Sequence, residues 1–286
     1  MLFLLNFIAR LPDKALYFLA DVLAVILFHL VRYRRATVDE NILRAFPEKS
    51  AADRLHIAKD FYCHIADVVV ELLMQSRMSR EQLFQRVDVV GIEYLHACVK
   101  KNQSVILLSA HQGNWEWMLA AVASSIQYPL DALYRPLHNS VMEQFFIKIR
   151  SRFDASMIPA EKAARVILKL RREVRAFGIL GDQNPRRRDD KYWTIFMGVE
   201  TPVAVGPERI AKLTGYPLFY VSMERLSRGR YRCVIAPLLE SPYSGEGEIS
   251  QKYMSVVEAN IRKQPECWMW SHHRWRYRRE DCPKAA

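Results

Sequence analysis

Between Ala51 and Gln75, apolar residues recur at three- and four-residue steps, at Leu55, Ala58, Phe61, Ile65, Val69 and Leu72. That spacing lines one face of a long helix. Before it, Thr37 to Phe46 carries a shorter helical pattern that Pro47 closes. Beyond it, short apolar runs alternate with amphipathic stretches. The runs predict strands at 84–90, 104–109, 132–134, 157–158, 176–180, 218–224 and 231–236. The amphipathic stretches predict helices at 91–100, 114–126, from Asn139 to about Arg152, and at 161–172, 203–213 and 249–263, with Gly215 stopping the fifth of these. No low-complexity linker or internal repeat interrupts the series. Strands alternating with helices predict an α/β fold.

The first 35 residues follow a different pattern. Ala15 to Val31 is an apolar run broken by Asp21 and His29, Met1 to Ile8 is apolar too, and Arg32, Arg34 and Arg35 follow directly. A secretory leader fits poorly, because there is no basic start and no small-residue cleavage site. The run is slightly short for a spanning helix of about 20 residues. Three readings stay open: a single membrane span, an interfacial or re-entrant anchor, and a buried core helix. In the first two, the arginines would face the cytosol and meet anionic headgroups.

Composition narrows the function classes. At 286 residues, one large domain, or one domain with a small appendage, is expected. Lys+Arg number 42 against 31 Asp+Glu, a formal net charge of +11, which points to anionic partners. The five cysteines, Cys63, Cys98, Cys233, Cys267 and Cys282, are scattered and form no CxxC pair. They read as reduced thiols in a cytosol-facing protein, with neither a disulfide framework nor a zinc site. No His/Asp/Glu cluster has metal-ligand spacing, no Gly-rich nucleotide loop occurs and no Gly-x-Ser-x-Gly elbow is present. No metal or cofactor is therefore expected, and no serine acyl-enzyme.

The candidate chemistry lies at 104–117, Ser-Val-Ile-Leu-Leu-Ser-Ala-His-Gln-Gly-Asn-Trp-Glu-Trp. A strand runs into a small-residue turn, His111 follows, and Glu116 comes five positions later. In a continuous helix that step is about 500°, or 140° after a full turn, and the side chains diverge. They can converge if His111 lies in the loop and the helix starts near Asn114, a good N-cap. Glu116 then sits in the first helical turn, where the dipole favours a carboxylate. The expectation is that Glu116 fixes the imidazole tautomer and His111 acts as a general base. Backbone N–H groups at Gly113 or Asn114 are candidate oxyanion donors. The competing structural reading is a polar helix start with a histidine in a turn.

Several further segments, taken in order, give this chain a resemblance to the lipid A biosynthesis (late) acyltransferases of the lysophospholipid-acyltransferase-like superfamily. They are the apolar N-terminus; Arg34-Arg35 with Asn41 and Ala45-Phe46-Pro47; His111-Gln-Gly-Asn-Trp-Glu116; Tyr134-Arg135-Pro136 with Asn139; Gly181-Asp182-Gln183; Thr201-Pro202; Leu213-Thr214-Gly215 with Pro217; and Pro265-Glu266 with Trp270, His272 and Arg274. The resemblance covers nearly the whole chain. It implies a central mixed sheet flanked by helices, like that of glycerolipid acyltransferases, with an N-terminal hydrophobic membrane helix. Residues 1–35 would form the anchor and 36–286 the catalytic domain. It further implies acyl carrier protein as donor, a glycolipid hydroxyl as acceptor, membrane lipids as partners, and a seat on the cytosolic face of the inner membrane. Gly206-Pro207 stands where members often carry helix-forming residues, and the tail His272 to Arg276 follows the family's Trp–His–Arg pattern in outline.

Within that frame, Arg135 is a candidate for binding a phosphate or the oxyanion, since its guanidinium fork suits oxyanions. The alternative is a surface arginine at a strand end. Asn139 is a candidate substrate contact or a helix cap. Asp182 and Gln183 are candidates for substrate binding or for ordering the active-site loop. Arg186, in the run Arg186-Arg187-Arg188, is a candidate contact for acceptor phosphates or an acidic carrier, or simply part of a solvated loop. Other readings are acylation of another phospholipid or an aminolipid, and a non-catalytic membrane-anchored protein that binds anionic ligands. A nucleic-acid binder would use the aromatic and arginine-rich tail 268–279, but the apolar N-terminus favours a membrane, and no nucleic acid is expected.

Overall fold

The computed structural model describes residues 7–187 and 189–282. Its centre is a seven-stranded mixed sheet made of β1 (Val87–Val90), β2 (Val105–Ser109), β3 (Leu130–Tyr134), β4 (Ala155–Pro159), β5 (Ala176–Leu180), β8 (Leu218–Ser227) and β9 (Arg230–Leu239), in the order β1-β9-β8-β2-β5-β3-β4. Strands β8, β2, β5, β3 and β4 run parallel; β9 is antiparallel to β8, and β1 is parallel to β9. Parallel neighbours require crossovers, which explains the alternating pattern of the sequence. The β8–β9 hairpin adds the antiparallel element.

Side-chain alternation along the strands builds a core on each face of the sheet. In β2, Ile106 and Leu108 face one core while Val105 and Leu107 face the other. In β8, Leu218 and Tyr220 join the first, and Phe219, Val221 and Met223 the second. Helices α2 (Arg35–Ala45), α9 (Gly206–Thr214) and α10 (Glu248–Lys263) cover the first face, together with the C-terminal tryptophans. Helices α1 (Asp13–Val25) and α6 (Trp115–Ser125) cover the second. The long helix α3 (Ala51–Gln75) serves both. Phe61 and Tyr62 enter one core, Val70 and Met74 the other. Its start is a capping box: the Asp53 amide donates to Ser50 Oγ at 3.1 Å and the Ser50 amide to Asp53 Oδ2 at 3.2 Å.

The predicted helix 51–75 and strand 176–180 stand with the same limits. Other predictions change: the strand read over 84–90 starts only at Val87, since Phe84 ends a short helix, and the helix read over 161–172 is α-helical only over Ala163–Lys169. The strand read over 132–134 starts earlier, as β3 at Leu130, and lies between β5 and β4. The helix read over 203–213 begins only at Gly206, with Pro207 near its start, where a missing N–H costs nothing. Ahead of it, β6 (Lys191–Phe196) and β7 (Val199–Ala204) form a separate antiparallel hairpin that was not predicted. The remaining helices are α4 (Arg80–Phe84), α5 (Ile92–Lys100), α7 (Ser140–Arg150) and α8 (Ala163–Lys169).

The N-terminal region is a docked element. Helix α1 packs on α3 through buried Leu16, Ala20 and Ala24. It is tied to the domain by Tyr17 to Glu71 at 3.0 Å, by Arg228 to Asp21 at 2.6 Å and by an Arg86–Asp13 pair. It passes through a π-helical turn, Ile26–Leu30, and the chain then bends by 88° into α2. Among the described residues, no single helix is long and apolar enough to cross a membrane; Asp13–Leu30 and Arg35–Ala45, the bent pair, have that length and composition only together. Residues 1–6 of the apolar run lie outside the described residues.

Candidate active site

His111 lies in the loop after β2, and Asn114 caps the following helix. The Trp117 amide donates to Asn114 Oδ1 at 2.8 Å, as the motif predicted. The loop turns at Gly113, whose φ is +60° and where a Cβ would lie 2.2 Å from the Met223 carbonyl oxygen. Only glycine fits there.

The carboxylate that meets His111 is Asp182, in the loop after β5. His111 Nδ1 is 2.7 Å from Asp182 Oδ1, and the His111 amide donates to Asp182 Oδ2 at 3.0 Å. Both loops leave the C-terminal ends of adjacent parallel strands, β2 and β5, where open α/β sheets place their ligands. Asp182 is buried and also accepts from Trp268 Nε1 at 2.9 Å. Burial pushes its carboxyl upward, but the charge of His111 and the hydrogen bonds from His111 and Trp268 more than offset this and hold it below the usual carboxylate range.

Glu116 does not perform the role expected of it. It is in the first turn of α6, as predicted, but Arg150 on α7 binds it twice, Nε to Oε2 at 2.8 Å and Nη2 to Oε1 at 2.6 Å. Trp115 Nε1 donates to the same carboxylate at 3.1 Å. The five-residue spacing gives this helix-borne carboxylate a neighbouring helix as its partner, while the imidazole in the loop meets the adjacent strand end. For Arg150, burial lowers the guanidinium's pKa, but the bond to Glu116 and its charge outweigh this and raise it.

The other candidates divide. His111, Glu116, Arg135, Arg150 and Gln183 line one cavity of about 530 Å³, within the roughly 300–1,000 Å³ usual for small-ligand sites. Much of its lining is apolar, including Leu107, Met118, Leu119, Val122 and Leu130. Arg135 is exposed, and its guanidinium lies 3.4 Å from the Asn184 carbonyl oxygen. Asn139 is the N-cap of α7, accepting from the Val141 and Met142 amides at 3.1 and 3.0 Å; this is its structural reading. Arg186 is outside the cavity wall and pairs with Glu161 at 2.7 Å; Arg188 lies outside the described residues. The expected backbone oxyanion donors are corrected. The Gly113 amide is used by the Cys267 carbonyl at 2.9 Å, Asn114 is buried by its cap and by Glu71, and neither residue lines the cavity. Among the described residues, no group of three or more His, Cys, Asp or Glu could hold a metal ion.

Comparison with known proteins then places the chain. The sequence profile of the bacterial lipid A biosynthesis acyltransferases matches residues 1–277. The chain belongs to that family. It is an acyltransferase. It is similar to the lipid A biosynthesis palmitoleoyltransferase of Escherichia coli K12, 23% identical over 270 residues, which is 94% of this chain and 87% of that protein. It is similar to the lipid A biosynthesis lauroyltransferase of the same organism, 24% identical over 279 residues, 96% of this chain and 90% of that protein. A lipid A biosynthesis acyltransferase of Haemophilus influenzae is 22% identical over 275 residues, 94% of this chain and 83% of that protein.

Proposed function

We propose that this member of the family moves a fatty acyl chain from an acyl thioester, with acyl carrier protein as donor, to a hydroxyl of a lipid A precursor or related glycolipid. The observation that carries the reading is the His111–Asp182 dyad, whose His111 stands in the wall of a largely apolar cavity while Asp182 is buried beside it. The names of the relatives support the acceptor class. Asp182 occupies Nδ1, so Nε2 is the nitrogen that accepts the proton of the acceptor hydroxyl. The oxygen attacks the thioester carbonyl, the C–O bond forms and the C–S bond breaks. The proton held by His111 passes to the departing thiolate. The apolar wall suits an acyl chain. Arg135 and Arg150 supply positive charge for the oxyanion and for anionic groups of the substrates. Asn139 and Arg186 stay outside the reaction. The apolar outer face of α1 seats the protein on the cytosolic surface of the inner membrane.

The decisive experiment is mass spectrometry of membrane lipids from cells with and without this chain, repeated with His111→Ala. We expect a glycolipid heavier by one acyl chain only when His111 is present, with turnover of the purified variant lower by at least about 10²-fold. An acyl chain gained by a phospholipid or aminolipid would overturn the acceptor, and turnover by His111→Ala near that of the unaltered protein would overturn the base.

A further inference from the structure

The C-terminal segment 264–275 touches both loops of the dyad. The Met269 amide donates to the His111 carbonyl at 3.0 Å, the Gly113 amide to the Cys267 carbonyl at 2.9 Å, and Gln112 pairs with Trp268 as a single β-bridge. On the other loop, Trp268 Nε1 donates to Asp182 Oδ2 at 2.9 Å, the Asn184 amide to His272 Nε2 at 3.0 Å, and Arg274 Nη1 to Asn184 Oδ1 at 2.7 Å. The segment is itself held by α2, where Asn41 donates to the Trp270 and His272 carbonyls, each at 2.7 Å. Arg274 is fully buried. Its other side-chain hydrogen bond is to the Pro202 carbonyl at 2.9 Å, its guanidinium lies over the Phe196 ring at 5.7 Å, and its Nε and Nη2 have no hydrogen-bond partner. No carboxylate pairs with it among the described residues. A buried guanidinium is costly unless compensated, and the negative charge that chiefly offsets its burial is Asp182.

We propose that Trp268 and Arg274 are positioning residues of the acyl-transfer site, fixing the orientation of Asp182 and the share of its charge felt by His111. The inference rests on His111 as the base. Trp268 holds the Asp182 oxygen that the imidazole does not use. Arg274 anchors the same loop two residues on, at Asn184, and its charge is coupled to the Asp182 carboxylate. Both act in one direction: they draw the negative charge of Asp182 away from the imidazole.

The groups facing the dyad from other elements do not supply this effect. His272 beside Arg274 is held neutral, since burial and the Arg274 charge lower its pKa to about 4. Tyr253 on α10 and Tyr220 on β8 are kept neutral by burial and by Asp182 itself. Across the cavity, Arg150 is paired with Glu116, and Tyr134 donates to Glu143 at 3.0 Å. Arg135, on the rim, is exposed.

The test is the pH profile of kcat/KM, with lauroyl acyl carrier protein and a lipid A precursor as probes. Trp268→Phe keeps a six-membered ring in the core and removes the N–H together with the fused five-membered ring, so its fold is checked by thermal melting beside the parent. We expect kcat to fall roughly three- to ten-fold, KM for the donor to stay within about twofold, and the acid limb to move up by about half a pH unit. Arg274→Gln should move the limb the same way, and Arg274→Lys, which keeps the charge, should restore it. Should Arg274→Gln fail to fold, Trp268→Phe alone decides. A folded Trp268→Phe whose rate falls with the acid limb unmoved, or whose kcat is unchanged, overturns the proposal. With His111→Ala run in parallel, retained turnover in that control would instead overturn His111 as the base.

Discussion

His111 is fixed at both backbone and side chain: its amide and Nδ1 both face Asp182, and its carbonyl accepts from Met269. An imidazole held this way has one tautomer suited to take a proton at Nε2. Two carboxylates near the cavity therefore have separable tasks. Asp182→Asn should present either the wrong dipole or the wrong tautomer to Nδ1, and kcat should fall by about 10³–10⁴-fold, the magnitude known for such a change in a serine protease. Glu116→Gln leaves the dyad intact and weakens the hold on Arg150, so a loss of about tenfold is expected, from one charge-assisted bond. The measurement is single-turnover acyl transfer by both variants beside the unaltered protein. If Glu116→Gln is the more damaging, the helix carboxylate serves the reaction directly and the assignment of tasks is reversed. Much of this site was legible in the sequence: the loop histidine, the Asn114 cap and the strand-to-helix setting all stand in one short segment. The pairing was not, because the partner of His111 is 71 residues away and the partner of Glu116 is 34 residues away. Spacing within one segment carries no information about which strand ends become neighbours.

Helix α3 shows what element-level patterning holds beyond an apolar face. His64, Asp67, Glu71 and Gln75 are all buried along it, at steps of three, four and four residues, so they form a polar row on one face. Each reaches a different part of the domain. His64 Nε2 is 3.2 Å from the Gly113 carbonyl oxygen, Asp67 pairs with Arg225 and Arg228 at 2.6 Å each, and Gln75 Nε2 lies 3.4 Å from the Ile149 carbonyl oxygen. Glu71 accepts from Asn114 at 2.7 Å, Tyr231 at 2.8 Å and Tyr17 at 3.0 Å, joining the cap of α6 to β9 and α1. The row was visible in the sequence, but apolar periodicity alone does not separate a buried polar row from a solvated one. The hairpin β6–β7 was missed for another reason: its strands face partly outward and its turn, Met197-Gly198 with φ of 53° and 75°, lacks the usual Asn-Gly signal. A stability prediction follows for Glu71. Burial raises its carboxyl above the usual 4.5, against the pull of its three hydrogen-bond donors. A raised folded pKa means that the stability from the neutral form is complete below about 4.5 and is lost as pH rises through the folded value. Thermal melts of the unaltered protein and Glu71→Gln, which cannot ionise, should therefore show the variant gaining on the parent between pH 5 and pH 8. A difference in Tm that does not change with pH would mean that Glu71 is ionised throughout.

At the scale of the whole molecule, a basic chain with net charge +11 carries one helix whose two faces are both apolar. The inner face of α1 is buried on α3, while Phe18, Val22 and Val25 stand on its outer face, 66%, 41% and 56% exposed, and Leu30 and Val31 continue the surface. From Asp13 through the π-helical turn to Leu30 the helix has 13 and 5 residues; at 1.5 Å each these rise at most about 27 Å, still short of the roughly 30 Å hydrocarbon core. Together with Asp21 bound to Arg228 and Tyr17 to Glu71, that length favours a helix lying in the membrane interface, with exposed Arg32 and Arg34 placed for anionic headgroups. Deleting residues 1–31 cannot test this, since it would also strip Leu16, Ala20 and Ala24 from the core. The cleaner variant is Phe18→Ser, Val22→Ser and Val25→Ser together, which alters only the outer face. We expect this triple variant to melt within a few degrees of the parent and to lose most of its flotation with vesicles of phosphatidylethanolamine and phosphatidylglycerol. High salt should weaken what binding remains, because the residual attraction is the screened field of the arginines. A triple variant that floats as well as the parent would mean that another surface holds the membrane, and the interfacial seat of α1 would have to be abandoned.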